Sequence, residues 1–178
     1  TNASYKSLNV KLGNLIVGDS GIEKKTQEIL TRLKDGAQKA IEIIKKYNPN
    51  FKIKEAKKQD FYDLRKNLPF ELHPYFYAAI FNHEITQNAF LELNNSNCDV
   101  NKIFNLINAH QEILDKKLNN TPNEMIRMMN AAKRSGAKAT KIVGSGGGGC
   151  FLAMSDPQDE KKVLNSILSA GAVDAFSV

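Results

Sequence analysis

The feature that most constrains the fold is the glycine cluster within residues 141–150, which read KIVGSGGGGC. Five of the six positions from 144 to 149 are glycine, and apolar residues stand on both sides of them. Flexible linkers join polar, poorly patterned segments, whereas this cluster lies between two predicted strands. Because glycine loses much conformational entropy on folding, the cluster indicates a loop whose backbone conformation or close contacts exclude side chains.

Two known glycine motifs are incomplete in this loop. The phosphate-loop pattern requires Lys and Ser or Thr where Cys150 and Phe151 stand. The GxGxxG spacing runs into a predicted strand instead of a helix, and no acidic residue closes a βαβ unit. Bare N–H groups of consecutive glycines can form an anion-binding concavity or admit a second loop. We therefore favour a loop close to a ligand over a purely structural turn. Its candidate residues are Gly144, Ser145, Gly146, Gly147, Gly148 and Gly149.

Hydrophobic periodicity predicts early strands, a helical middle and a β-loop-β-α-β tail. The predicted strands cover residues 8–17, with a turn at Gly13 and Asn14, then 137–143, 151–154 and 173–178. Four predicted helices cover residues 23–47, 57–67, 75–93 and 157–169. Two more lie between them: one begins at Asp99, which is predicted to cap it, and the other begins at a capping box formed by Thr121 and Glu124 and ends near residue 134. This order predicts one α+β domain over residues 1–178. We expect a ferredoxin-like sandwich, with helices packed mainly on one face of an antiparallel sheet.

Composition and charge exclude several classes of protein. The chain has 178 residues, of which 42% are hydrophobic, and it has no run of 18 apolar residues that could span a membrane. No signal-peptide core is found at its start, and its two distant cysteines favour a reducing, cytoplasmic compartment. The net charge is +6, but the lysines are spread over predicted helix surfaces, and the densest cluster, KIKEAKK at 52–58, contains Glu55. We therefore expect neither a nucleic-acid nor a membrane partner.

The individual candidate residues have ordinary interpretations that compete with functional ones. His110 lies on an apolar helix face, where a core histidine is favoured over a substrate contact. Asp19 follows a strand and precedes Ser20 and Gly21, a pattern typical of a turn former or helix cap. Cys150 is expected to be a buried small hydrophobe rather than a nucleophile. No histidine has metal-ligand spacing, so no metal site is predicted.

The glycine segment resembles the C-terminal motif of the GHMP kinases, which include galactokinase, homoserine kinase, mevalonate kinase and phosphomevalonate kinase. That motif reads roughly K-[LI]-x-G-x-G-G-G-G-C between two strands. The matching positions are Lys141, Ile142, Gly144, Gly146, Gly147, Gly148, Gly149 and Cys150. Residues 108–142 resemble the helix, Thr-Pro cap and helix before this motif in galactokinase-type members, with His110 preceding Leu114 and Asp115. Residues 17–30 resemble the family's strand-turn-helix segment.

The resemblance implies the C-terminal half of a kinase that transfers a phosphoryl group from ATP, with Mg²⁺, to a hydroxyl of a small molecule. The family's Pro-x-x-x-Gly-x-x-Ser-Ser-Ser-Ala loop and its catalytic Asp have no counterpart here. The ATP site and the catalytic residues are therefore expected in an N-terminal partner domain outside this chain, and the chain alone should be inactive. The resemblance also brings Asp19 and His110 toward the substrate cleft, and the glycine loop beside the phosphate loop.

The resemblance leaves two possible substrates, a sugar and mevalonate. The helix around His110 and the Thr121–Pro122 pair favour a galactokinase-like enzyme acting on a sugar, whereas Lys141 and the unbroken glycine run favour a mevalonate kinase-like enzyme. A non-catalytic ligand-binding or regulatory module is the alternative from another class, since a fold does not determine a function. Exposed apolar surface at the cleft would favour a homodimer.

Overall fold

The fold was analysed in a computed structural model, which describes residues 10–178. The described part of the chain forms four strands and six α-helices, joined in places by short 3₁₀ turns. In chain order they are β1 (Asn14–Asp19), α1 (Thr26–Tyr47), α2 (Lys58–Leu64), α3 (His73–Leu93), α4 (Val100–Lys116), α5 (Asn123–Arg134), β2 (Ala137–Ile142), β3 (Cys150–Ser155), α6 (Glu160–Ser169) and β4 (Asp174–Ser177).

The four strands form one antiparallel sheet in the order β2-β3-β1-β4. Five helices connect β1 to β2, and α6 connects β3 to β4, so the chain follows the β-α-β-β-α-β order of a ferredoxin-like fold. The predicted α+β class and antiparallel sheet are confirmed. Because β1 and β3 are the central pair, the loop between β2 and β3 lies at the end of the sheet where β1 terminates.

The core forms where α5 and α6 pack on one face of this sheet. Alternate strand residues point to the helices, among them Ile16, Phe151 and Ala153, which are fully buried. Gly18 leaves room for this packing, because a Cβ there would lie 2.6 Å from the Phe151 ring. The helices contribute the buried side chains Met125, Met128, Met129, Ala132, Val163 and Ile167.

A second group of helices, α1 to α4, packs beside the sheet, with α3 between α1 and α4. Gly36, within α1, lies where that helix contacts α3. A Cβ at Gly36 would lie 2.6 Å from the Tyr75 ring of α3. The glycine therefore allows the two helices to approach closely. No helix within residues 10–178 combines the length and the hydrophobicity needed to span a membrane.

Helix α4 also covers the edge of β2, whose outer backbone groups have no neighbouring strand. The Asn108 side chain donates to the carbonyl of Lys138 at 2.8 Å and accepts from the amide of Thr140 at 3.3 Å. Gln111 continues this row by accepting from the amide of Ile142 at 3.0 Å. Side-chain amides thus replace strand pairing and block the edge against association with other chains.

One local prediction is confirmed and two are wrong. Asp99 caps α4 as expected, accepting from the amides of Asn101 and Lys102. The capping box at Thr121 is wrong: α5 begins at Asn123 without a side-chain cap, and the buried Thr121 hydroxyl accepts from Gln111 instead.

The predicted early strand pair is also wrong within the described residues, since residues 10–13 form no strand and β1 begins at Asn14. Leu8 and Asn9, the first two residues of that prediction, lie outside the described residues. Gly13 has a φ of +77°, and a Cβ there would lie 2.4 Å from the carbonyl oxygen of Ser155. This glycine therefore packs against the end of β3 and does not turn a hairpin.

Candidate functional site

The glycine loop connects β2 to β3 and has a defined conformation. The amide of Val143 donates to the carbonyl of Cys150 at 3.0 Å and closes the loop at its base. All five of its glycines have positive φ values, from +68° to +145°. Residues with a Cβ rarely adopt such angles, so the backbone conformation itself requires glycine at these positions. The loop is therefore a shaped element and not a flexible linker.

The segment before α5 holds the centre of the loop. The amide of Gly147 donates to the carbonyl of Asn120 at 2.8 Å, and the side-chain amide of Asn120 donates to the carbonyl of Ser145 at 2.8 Å. Asn120 is buried, and its partners Ser145 and Gly147 are partly buried. One residue thus clamps the loop by its main chain and its side chain.

The segment between β1 and α1 holds the other end of the loop. The amide of Gly149 donates to the carbonyl of Ile22 at 2.9 Å. Ser20 completes the contact, because its amide and its hydroxyl both donate to the carbonyl of Gly149, at 3.1 and 2.6 Å. The loop is therefore fastened to two segments that are distant from it in sequence.

Close packing around the loop excludes side chains at three central positions. A Cβ at Gly146 would lie 2.6 Å from the carbonyl oxygen of Asn120, and one at Gly148 would lie 2.6 Å from that of Ile22. At Gly147 a Cβ would lie 1.8 Å from the end of the Ile29 side chain. Backbone flanks the loop on two sides and α1 on the third.

Two amides of the loop remain available to a ligand. Those of Gly144 and Ser145 have no hydrogen-bond partner within residues 10–178, and neither residue is buried. Lys24 lies over this end of the loop, where its ammonium group donates to the carbonyl of Val143 at 2.9 Å. Free backbone N–H groups beside a lysine form an arrangement that attracts anionic oxygens.

The hydroxyl groups near the loop contact one another and the loop backbone. The Ser145 hydroxyl lies 3.3 Å from that of Thr26, the first residue of α1, and 3.5 Å from the carbonyl of Gly146. Both contacts are long, so they leave these hydroxyls able to turn toward another partner.

Asp19 and Cys150 lie opposite each other in the β1–β3 pair, next to the end of the loop. The Asp19 carboxylate accepts from the amide of Gly21 at 2.9 Å, which is the turn-forming contact predicted for it. Cys150 is a free, half-buried thiol at the start of β3. The sheet thus brings Asp19 to the loop, but its carboxylate serves the turn.

His110 lies on α4 and makes no hydrogen bond to the loop within the described residues. Its Nδ1 atom is buried without a partner. Burial lowers the pKa of His110 to about 4, and the positive charge of Lys141 acts in the same direction. The pKa of Lys141 is itself lowered to about 8 by burial, an effect that Asp115 opposes. His110 is therefore a neutral imidazole at physiological pH.

Acidification is expected to destabilise the domain through His110. Between about pH 6.5 and pH 4, the unfolded state binds a proton at this residue that the folded state does not, so the free energy of unfolding falls as pH falls. His110→Gln should reduce that loss by about 1–2 kcal/mol, after discounting for the water that still reaches the ring. Urea unfolding of both proteins at several pH values measures the difference. If the free energy of unfolding falls equally with pH in the wild type and in His110→Gln, this role of His110 is contradicted.

The other two histidines contact backbone carbonyls. The Nε2 atom of His73 lies 3.1 Å from the carbonyl oxygen of Leu68, and that of His83 lies 3.2 Å from the carbonyl oxygen of Lys54. Within residues 10–178, no group of three His, Cys, Asp or Glu side chains is arranged to hold a metal ion.

Sequence reasoning missed the residues that surround the loop. Lys24 was assigned to a solvated helix surface, and neither Asn120 nor Ser20 was singled out. The only local signals were the Asn-Asn pair before Thr121 and the Asp-Ser-Gly turn after β1. Both indicate turns, but neither indicates which part of the chain those turns contact.

Comparison with known proteins agrees with this architecture. Residues 89–173 match the family model described as GHMP kinases C terminal. A search of curated protein sequences found no significant match.

Solved kinase structures share the fold at low sequence identity. Lactococcus lactis galactokinase complexed with galactose is 17% identical over 96% of this chain, with a TM-score of 0.73. L. major mevalonate kinase in complex with R-mevalonate is 14% identical over 92% of this chain, with a TM-score of 0.62. Methanococcus jannaschii mevalonate kinase is 20% identical over 92% of this chain, with a TM-score of 0.53. The chain spans 45%, 41% and 38% of these proteins, respectively.

The family match includes α4, α5, β2, the glycine loop, β3 and α6, which are the elements that build and hold the candidate site. The structural likeness to galactokinase extends over 96% of the chain. Residues 89–173 thus match the C-terminal domain of the GHMP kinases, and the chain shares its fold with members of that family.

Proposed function

We propose that this domain forms one wall of the cleft of an ATP-dependent kinase that phosphorylates a hydroxyl group of a small molecule. The observation that carries the proposal is the rigid glycine loop, with free amides of Gly144 and Ser145 beside the Lys24 ammonium group. Phosphoryl transfer depends mainly on positioning and on stabilising charge that develops on oxygen atoms. A cation and fixed N–H groups are suited to that task.

The way the loop is held supports a role in positioning. Asn120, Ser20 and Ile22 fix its backbone before any ligand arrives, so its donors need little reorganisation when they meet an anionic group. The Ser145 and Thr26 hydroxyls stand at the same edge and can bond an oxygen of the acceptor or of the transferred group. In this proposal the loop and Lys24 orient the reacting groups, and the chain supplies no general base.

A sugar is the acceptor that we favour. The galactokinase structure, which contains galactose, has a higher TM-score to this chain than the mevalonate kinase structure with R-mevalonate. The helix around His110 supports the same choice through its resemblance to galactokinase-type members. A mevalonate-like alcohol is the alternative, supported by Lys141 and the unbroken glycine run.

We assign ATP and Mg²⁺ to the N-terminal half of the enzyme. The described residues do not fit a magnesium site, because no three acidic or other ligating side chains converge among them. The glycine loop could contact a phosphate, but it has no lysine and hydroxyl of the phosphate-loop type. We therefore derive no step of the reaction through these groups, and we expect the 178-residue chain alone to be inactive.

The test is a coupled ATP-consumption assay on the full-length gene product with galactose, related sugars and mevalonate as acceptors. Turnover with a sugar alone would support the favoured version, and turnover with mevalonate alone would support the alternative. Absence of turnover with every acceptor, in a protein that unfolds cooperatively on heating, would overturn the kinase proposal. That result would favour a non-catalytic binding module, which could then be tested by calorimetric titration with the same molecules.

A further inference from the structure

Two surface cavities on the helical side of the domain lie next to each other. A cavity of about 450 Å³ lies between α2 and the start of α3, and a cavity of about 520 Å³ lies between α3 and α4. Tyr77 and Lys117 line both of them. We call this pair of adjacent cavities, from Phe70 through Tyr77 to Phe81, the aromatic groove.

Aromatic rings line the aromatic groove along its α2 and α3 side. Tyr77 and Phe81 stack with ring centroids 3.8 Å apart, and Phe61 meets Tyr77 edge-on at 5.2 Å. At the rim, Tyr62 is 51% exposed and Phe70 is 84% exposed. A single exposed apolar residue is common, but an exposed phenylalanine that continues into a ring-lined groove is typical of a binding surface.

Positive charges are held over the same rings. The Arg65 guanidinium lies 5.5 Å from the centre of the Phe61 ring and 5.6 Å from that of Tyr62. The Lys117 ammonium lies 5.2 Å from the centre of the Tyr77 ring. Neither cation has an ion-pair partner within residues 10–178. Both side chains are therefore positioned by cation–π contact, with N–H groups left to bind an anion.

The positive charge continues beyond the groove into the lysine cluster at 52–58. Lys58 lies over the Phe81 ring at 5.6 Å and pairs with Glu84 at 2.9 Å. Lys54 and Lys57 line a shallow cavity next to it, together with Lys58. The lysines at 52–58 were predicted to lie on a solvated surface. In the structure, Lys58 lines both the aromatic groove and this shallow cavity, so the cluster adjoins the groove.

We propose that the aromatic groove binds an acidic segment of a partner protein that carries an apolar side chain. The carboxylates would bind Arg65, which can donate two hydrogen bonds to one carboxylate, and Lys117, and the apolar side chain would cover Phe70. A segment in an extended conformation fits two adjacent cavities better than a compact ligand does. No contact of this groove involves the glycine loop, so the inference does not depend on the proposed kinase activity.

Other occupants fit the groove less well. Single-stranded nucleic acid binds by stacking bases on open ring faces, but here cations already cover the faces of Phe61, Tyr62, Tyr77 and Phe81. A second copy of this chain would bring its own excess of positive charge, since the chain has 25 Lys and Arg against 19 Asp and Glu. An acidic segment that carries an apolar side chain complements both the positive charge and the apolar surface of the groove.

The test is fluorescence anisotropy of the 178-residue chain with a labelled peptide of aspartate and glutamate that carries two phenylalanines, about twelve residues long. We expect saturable binding that weakens as salt rises. The double variant Arg65→Gln, Lys117→Gln and the single variant Phe70→Ala should each weaken binding about tenfold or more. The matched control is the double variant Lys161→Gln, Lys162→Gln on α6, which removes the same charge from another surface and should leave the affinity unchanged.

Four results would overturn the proposal. The first is the absence of saturable binding, and the second is an equal loss of affinity in the α6 control, which would indicate attraction by net charge alone. The third is tighter binding of oligothymidylate than of the acidic peptide. The fourth is a concentration-dependent dimer in sedimentation that the groove variants abolish, since that would assign the groove to a second copy of the chain. Because all the replaced residues are exposed, loss of folding is not expected to obscure these outcomes.

Discussion

Replacing Gly148 by alanine is expected to lower the free energy of unfolding by about 3 kcal/mol or more. Gly148 has a φ of +145°, an angle that is strained for any residue with a side chain. The new Cβ would also lie 2.6 and 2.7 Å from the carbonyl oxygens of Ile22 and Glu23. These are backbone atoms that cannot rotate away, so the segment between β1 and α1 must move. Chemical denaturation of the variant and the wild type measures the effect.

Gly144→Ala is the matched control within the same loop. Gly144 also has a positive φ, +68°, but the only atom within 4 Å of a Cβ there is the mobile ammonium nitrogen of Lys24, at 3.2 Å. Only the left-handed conformation should therefore be costly, by about 1–2 kcal/mol. If Gly148→Ala and Gly144→Ala lower the free energy of unfolding equally, the positive φ angles alone explain why these positions are glycine. The contacts of the loop with Ile22 and Glu23 would then have no energetic role.

Replacing Gln111 by leucine is expected to lower the free energy of unfolding by about 2–4 kcal/mol. Gln111 is 1% exposed, and its side chain joins three parts of the fold. Its oxygen accepts from the amide of Ile142 at 3.0 Å, while its nitrogen donates to Asp115 at 2.7 Å and to the Thr121 hydroxyl at 3.0 Å. Leucine fills a similar volume but leaves the buried Ile142 amide without an acceptor.

One further observation and one control test this account of Gln111. Hydrogen exchange at the Ile142 amide should become faster, because the edge of β2 loses its cover there. Gln59→Leu is the control: Gln59 makes one exposed hydrogen bond to Asp63, and its removal should cost no more than about 0.5 kcal/mol. A Gln111→Leu variant as stable as Gln59→Leu would contradict the structural role of Gln111.

Local patterns predicted the parts of the fold that local interactions determine. Apolar segments on both sides of the glycines identified β2 and β3, and Asp99 was identified as a cap because its contacts lie two and three residues away. Predictions were wrong or incomplete where a distant residue takes part. The Thr121 hydroxyl bonds to Gln111, ten residues earlier, instead of capping α5. Gly36 is explained by Tyr75 on another helix, which no pattern within α1 reveals.

The candidate site was predictable to the same extent. Five glycines between two strands located the loop, because such a composition has few structural explanations. The residues that hold it come from elsewhere: Asn120 is 25 positions from Ser145, and Lys24 is 119 positions from Val143. Their side chains have no distinctive spacing. Lys24 reaches the loop because β1 lies beside β3 in the sheet, and Asn120 reaches it from the segment between α4 and α5. Tertiary contact therefore determines the surroundings of the loop.

The most direct test of the central claim, that the glycine loop and Lys24 line the cleft of a kinase, is the kcat/KM of Lys24→Gln in the full-length enzyme. Lys25→Gln is the matched control, because it removes the same charge from the adjacent residue, whose side chain makes no bond to the loop within residues 10–178. We expect Lys24→Gln to lower kcat/KM about tenfold or more without changing the melting temperature, and Lys25→Gln to have little effect. Equal kcat/KM values for both variants and the wild type would contradict the placement of this loop in the cleft.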